Sequence, residues 1–121
     1  MKVEEGPPDE GVVDFLVVLA GESWDSRLVL PQCFAWSSYG RLPTKLQLRH
    51  YGGQKQFPVL AVIASADCAF FHRGWKQFVG VHLLEPGWTL RFKWLGEDEF
   101  VVFVFDGDGC RRDYVPRLPS Q

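Results

Sequence analysis

No apolar run in the 121 residues approaches the roughly 20 that a membrane-spanning helix needs. Cysteine is scarce: Cys33, Cys68 and Cys110 are odd in number and far apart, so they make no disulfide framework. No C-x-x-C pair occurs, and His50, His72 and His82 lack zinc-finger spacing. A Gly-rich phosphate loop and a nucleophile elbow are both missing. Cys68 and His72, four residues apart on an extended strand, stand roughly 13 Å from each other, too far for a thiol–imidazole pair. Asp106-Gly107-Asp108-Gly109 lacks the third ligand position and the closing glutamate of a calcium loop, so it reads as a plain turn. These gaps leave no catalytic residue, metal ligand or cofactor to name and favour a binding module over an enzyme. The three cysteines are expected as small, buried or half-buried apolar side chains.

Nor is there a strong excess of either charge. The formal net charge is −2, which taken alone argues against a nucleic-acid partner. Its distribution is uneven. Residues 1–25 hold one base, Lys2, against seven acids, whereas residues 26–121 hold twelve Lys and Arg against eight Asp and Glu. A mildly basic body behind an acidic leader permits a phosphate footprint without demanding one. Residues 1–11, MKVEEGPPDEG, read as a flexible leader that is neither a signal peptide nor a basic transit peptide. Residues 12–115 read as one domain and 116–121 as a C-terminal tail, in a cytosolic or nuclear chain.

What is abundant is aromatic and apolar residues: 46% hydrophobic, with five Trp and ten Phe, enough for one sound core. Val12–Ala20 is a strand-length apolar run ended by Gly21, and Arg27–Leu30 alternates briefly before Pro31. Gln32–Ser38 reads as a short helix with Phe34 turned inward. In Thr44–His50, Leu46 and Leu48 take one face while Lys45, Gln47 and Arg49 take the other. A Gly52-Gly53 turn leads to an apolar strand, Phe57–Ile63, whose Pro58 suggests an edge or a bulge. Ala64–Cys68 reads as a small-residue loop and Ala69–His72 as a short strand. Arg73–Leu83 is the clearest helix, with Trp75, Phe78, Val79 and His82 on one stripe and a core role for His82. Leu90–Trp94 and Phe100–Phe105 complete a hairpin through Gly96–Asp98. Seven strands joined by short turns, expected to be antiparallel, plus two short helices describe a barrel-like all-β domain. Most aromatics fall on inward positions. Trp24, in the polar loop SWDSR, is the exception: either its neighbours Ser23, Ser26 and Arg27 suit phosphates and base edges, or this is an ordinary solvent loop with Trp24 packed back on the barrel.

In order, the chain carries Arg27-Leu28-Val29-Leu30-Pro31-Gln32-Cys33-Phe34, Leu46-Gln47-Leu48, Gly52-Gly53 and Phe57-Pro58-Val59. These are followed by Phe70-Phe71-His72-Arg73-Gly74-Trp75-Lys76-Gln77-Phe78-Val79, Leu84-Glu85-Pro86-Gly87 and Phe105-Asp106-Gly107-Asp108-Gly109-Cys110. Together they resemble the plant-specific B3 DNA-binding domain, most closely its reproductive-meristem-type subgroup, over about residues 13–114. Gly87-Trp88 stands where the family has Gly-Asp, and Phe57-Pro58 where it usually has a Trp.

The resemblance implies a seven-stranded open pseudobarrel with two short helices, acting in the nucleus in plant transcriptional regulation. It implies two arms entering the major groove of double-stranded DNA, here Gly21–Arg27 and Ala64–Ala69. The residues expected at that interface are Ser23, Trp24, Ser26 and Arg27 in the first arm and Ser65, Asp67 and Cys68 in the second. Asp67 would accept from a cytosine amino group, while Arg73 and Lys76 would steer toward phosphate. Other transcription factors are the further partners implied. The arms also carry the acids Glu22, Asp25 and Asp67, which leaves a second reading open: a divergent domain of this type that binds protein, with weak or no DNA binding.

Overall fold

The computed structural model describes residues 13–113; the leader and the tail proposed from sequence lie outside the described residues. Seven strands and two helices follow one another as β1 (Asp14–Val18), β2 (Leu28–Val29), α1 (Gln32–Ser37), β3 (Lys45–His50), β4 (Phe57–Ser65), β5 (Cys68–Phe71), α2 (Trp75–His82), β6 (Thr89–Trp94) and β7 (Glu99–Phe105). In space the order is β1-β6-β7-β3-β4-β5-β2. The sheet curls into a half-barrel whose two edges, β1 and β2, are joined by the Gly21–Arg27 loop. The all-β open pseudobarrel expected from sequence is the observed fold.

Alternation sets the inside. Leu46 and Leu48 of β3 and Leu90, Phe92 and Trp94 of β6 are buried, while the intervening side chains face outward. Phe34 from α1 and Trp75 and Phe78 from α2 are fully buried with Phe71, Phe92 and Phe100. Phe92 and Phe100 meet edge-on at 6.1 Å, and Trp75 stacks on Phe78 at 5.6 Å. His82 packs at 4.2 Å on Phe78 and 4.9 Å on His50, and its Nδ1 lies 2.9 Å from the Phe78 carbonyl. Burial holds both imidazoles below the usual histidine range.

Gly74 shows why a glycine stands before α2. Its φ is +94°, and a Cβ there would fall 2.1 Å from the Pro58 carbonyl oxygen. Only a residue without a side chain lets the helix start so close to β4. The helix is shorter than the Arg73–Leu83 expected, because the left-handed caps at Gly74 and Leu83 bound it.

Four other expectations are corrected. The sheet is not antiparallel throughout: β3 and β7 pair in parallel, which the long chain excursion between them permits. Ala64–Cys68 is not a loop. Ala64 and Ser65 close β4, Cys68 opens β5, and a turn at Ala66-Asp67 joins them after a bulge between Ile63 and Ser65. Pro58 is neither at that bulge nor on an edge strand. It lies in the first half of β4, opposite Gln47, before β5 comes alongside at Ala61, so its missing N–H breaks no ladder on that flank. All three cysteines are exposed: Cys33 is on the outer side of α1, Cys68 at an outward position of β5, and Cys110 in the last turn.

Candidate nucleic-acid interface

The short β2–β5 ribbon carries the candidate site. Leu28 pairs with Phe71 and Val29 with Phe70, and the Leu30 N–H donates to the Ala69 carbonyl. Arg27 therefore enters the ribbon beside His72, and the Ala66-Asp67 turn lies beyond the opposite end, at Cys68. Four strand steps separate Cys68 from His72, about 13 Å. The two loops thus flank one rigid platform rather than meeting.

The first arm is a turn built on its own backbone. The amides of Ser26 and Arg27 both donate to the Ser23 carbonyl, at 3.1 and 3.0 Å, as does the Ser26 hydroxyl at 3.3 Å. Trp24 packs back on the barrel, one of the two placements its polar loop leaves open. It is half-buried against the core, and its carbonyl accepts a 2.7 Å hydrogen bond from the Trp75 indole. The arm is thereby pinned at its middle, with Glu22, Ser23, Asp25, Ser26 and Arg27 left exposed. Behind it, between the two edges of the sheet, Val17, Val18, Leu28 and Val29 help line a cleft of about 260 Å³. The Arg27 guanidinium lies over the Phe70 ring, 5.0 Å from its centroid.

The second arm is smaller and its polar atoms are engaged. The Ser65 hydroxyl donates to one carboxylate oxygen of Asp67 at 2.8 Å, and the Gln32 amide to the other at 3.1 Å. These two bonds, the Ser65 one foremost, hold the Asp67 carboxyl below its ordinary range, so the tip is firmly anionic. Cys68 is exposed beside it. Arg73 lines, with Lys45, Gln47 and Gln77, a groove of about 460 Å³ on the outer side of β3 and β4. Lys76 is exposed on the first turn of α2.

In the last turn, the oxygens of Asp106 take up the Asp108 and Cys110 amides and the Arg112 guanidinium. Nothing in this turn offers chemistry beyond closing the strand.

A family model described as the B3 DNA binding domain matches residues 15–108. The chain belongs to the B3 family. It is 34% identical over 103 residues to B3 domain-containing protein Os03g0212300 of Oryza sativa subsp. japonica, covering 83% of this chain and 37% of that protein. With B3 domain-containing protein At4g01580 of Arabidopsis thaliana it shares 27% over 100 residues, covering 83% of this chain and 52% of the relative. The chain therefore spans about half or less of these B3 relatives. A solved structure, that of the hypothetical Arabidopsis thaliana protein At1g16640.1, superposes with a TM-score of 0.69 at 24% identity, covering 81% of this chain and 94% of that one. That likeness concerns the fold.

Three residues of this B3 domain that shape the arms escaped the sequence reading: Gln32, Phe70 and the indole of Trp75. Their partners lie 35, 43 and 51 positions away along the chain. Only the order of strands in space brings them together.

Proposed function

We propose that residues 12–115 form a DNA-binding unit that reads double-stranded DNA through two major-groove arms, in the nucleus and in plant transcriptional regulation. The observation that carries this reading is the pair of loops at opposite ends of the β2–β5 ribbon, whose four extended-strand steps span roughly 13 Å of backbone. A B-DNA major groove is about 12 Å wide. In the first arm Ser23, Ser26 and Arg27 face base edges and phosphates, with Trp24 as the anchor. In the second, Ser65 and Cys68 line the groove and Asp67 accepts from a cytosine amino group. Arg73 and Lys76 steer toward phosphate. The motif order supports placement in the reproductive-meristem-type subgroup, and a relative named REM16 from Arabidopsis thaliana is 35% identical over 82 residues, covering 68% of this chain and 24% of that protein. The role is binding rather than catalysis, and other transcription factors are the natural further partners.

The test is fluorescence polarisation and selection from a random duplex pool. Arg27→Ala is expected to weaken binding about tenfold or more, the worth of one good bidentate base contact. Log affinity is expected to fall only shallowly with log salt, because few cations line the arms. The exposed acids Glu22, Asp25 and Asp67 favour a second reading, a divergent B3 domain that binds protein instead. No sequence enrichment and no effect of Arg27→Ala would defeat the DNA-reading proposal.

A further inference from the structure

Between the arms, the outer face of the sheet carries an unbroken apolar row. Val29 of β2 pairs with Phe70 of β5, and Phe70 pairs with Val62 of β4. All three point outward because Leu28, Ala61, Ala69 and Phe71 take the inward positions. Val29 is 58% exposed and Val62 38% exposed. Arg27 lies on this row, its guanidinium over the Phe70 ring at 5.0 Å, and the His72 ring stands roughly perpendicular to that of Phe70, centroids 6.3 Å apart. No carboxylate pairs with Arg27 among the described residues. A guanidinium held on an aromatic face keeps its planar fork and its in-plane donors, which the ring does not consume.

We propose that Arg27, Phe70, Val29 and Val62 form a base-reading subsite for a guanine next to a C5-methylated pyrimidine, either thymine or 5-methylcytosine. This rests on the two-arm reading above. Arg27 donates its fork to guanine O6 and N7, the commonest specific major-groove contact. Phe70 is a positioning residue, acting through Arg27 by fixing the plane of the fork. The pyrimidine methyl, which projects into the major groove beside that guanine, settles on Val29 and Val62, as apolar side chains do on thymine. Exposed apolar side chains also occur elsewhere on the sheet, at Leu16 and Val18 of β1; what sets this row apart is the arginine resting on its central ring.

The experiment uses the full chain and three random 20-base-pair duplex pools: ordinary DNA, DNA with deoxyuridine for thymidine, and DNA with 5-methylcytosine for cytosine. The wild type is expected to enrich pyrimidine–guanine steps, to lose roughly fourfold in affinity per methyl removed in the deoxyuridine pool, and to gain in the methylcytosine pool. Val29→Ser should erase the differences between pools while keeping guanine enrichment. Phe70→Leu should lose guanine enrichment and Phe70→Tyr retain it, with melting temperatures close to wild type in each. Equal binding to the three pools, or guanine enrichment surviving in Phe70→Leu, overturns the subsite while leaving the two-arm reading intact. If the wild type binds none of the pools, the two-arm reading itself falls, and the subsite with it.

Discussion

The two arms leave the same ribbon but are held by opposite means. Gly21–Arg27 is a long excursion tied to the core at its middle, where the Trp75 indole holds the Trp24 carbonyl. Among the described residues the Ser26 hydroxyl bonds only within the turn, to the Ser23 carbonyl at 3.3 Å, and the arm's cation rests on an aromatic ring. The Ala66-Asp67 turn is tied at its tip instead. Ser65 and Gln32 bond both oxygens of Asp67, so the polar groups nearest a ligand are already bonded to one another. One arm has a rigid root and available side chains; the other has a rigid, anionic end. Under the two-arm proposal, reading would fall mainly to the first arm, with the second as a shaped, selective wall.

The largest expected effect removes the platform on which the comparison stands. Gly74→Ala places a Cβ against the Pro58 carbonyl at a left-handed φ. Neither the backbone of β4 nor the start of α2 can yield cheaply, so the loss is expected to be about 3 kcal/mol or more. Chemical denaturation measures it. Binding by both arms should fall together, since α2 carries Trp75 and Gly74 packs on β4. A variant that keeps wild-type stability would show that α2 does not fix the ribbon.

Trp75→Phe separates the arms. It keeps an aromatic ring in the core and deletes the indole N–H, which costs about 1 kcal/mol for the hydrogen bond plus a packing loss of about 1–2 kcal/mol at this fully buried site. Hydrogen exchange should quicken at the amides of Ser26 and Arg27, whose turn depends on that anchor, and stay unchanged at Ala66 and Asp67. Equal loosening of both arms would break the contrast drawn here.

Local pattern made the scaffold readable. Leu46 and Leu48, and Leu90, Phe92 and Trp94, alternate cleanly because each strand has one buried face, and Trp75, Phe78 and Val79 share one helical stripe. The parallel pairing of β3 with β7 was not readable, since two strands separated by three others and a helix carry no local sign of their relative direction. Ala64–Cys68 looked like a loop because small polar residues suit turns and strand ends alike; hairpin pairing decided it. The cysteines were misplaced because burial habits averaged over proteins say nothing about which face of α1 or β5 a given residue takes. For the arms, sequence marked the loops but not their restraints. The seat of Trp24 and the bonding of Asp67 cannot be chosen from the loops alone, because their anchors lie on α2 and α1.

The smallest effect has the most informative sign. The Asp67 carboxylate is exposed and ionised, held by Ser65 and Gln32 below its ordinary range. As a charge it repels phosphate; as an acceptor it favours cytosine. Asp67→Ala removes both at once, and the two show up in different measurements. Affinity for a random duplex pool at low salt should rise about twofold as the repulsion is relieved, and the gain should vanish at high salt, where exposed charges are screened. Cytosine enrichment in the selected sequences should fall over the same change. A rise in affinity with no change in base preference would make the second arm a wall only. A fall in affinity would mean that Asp67 contributes more to attraction than to repulsion, and that the two arms read the groove on equal terms.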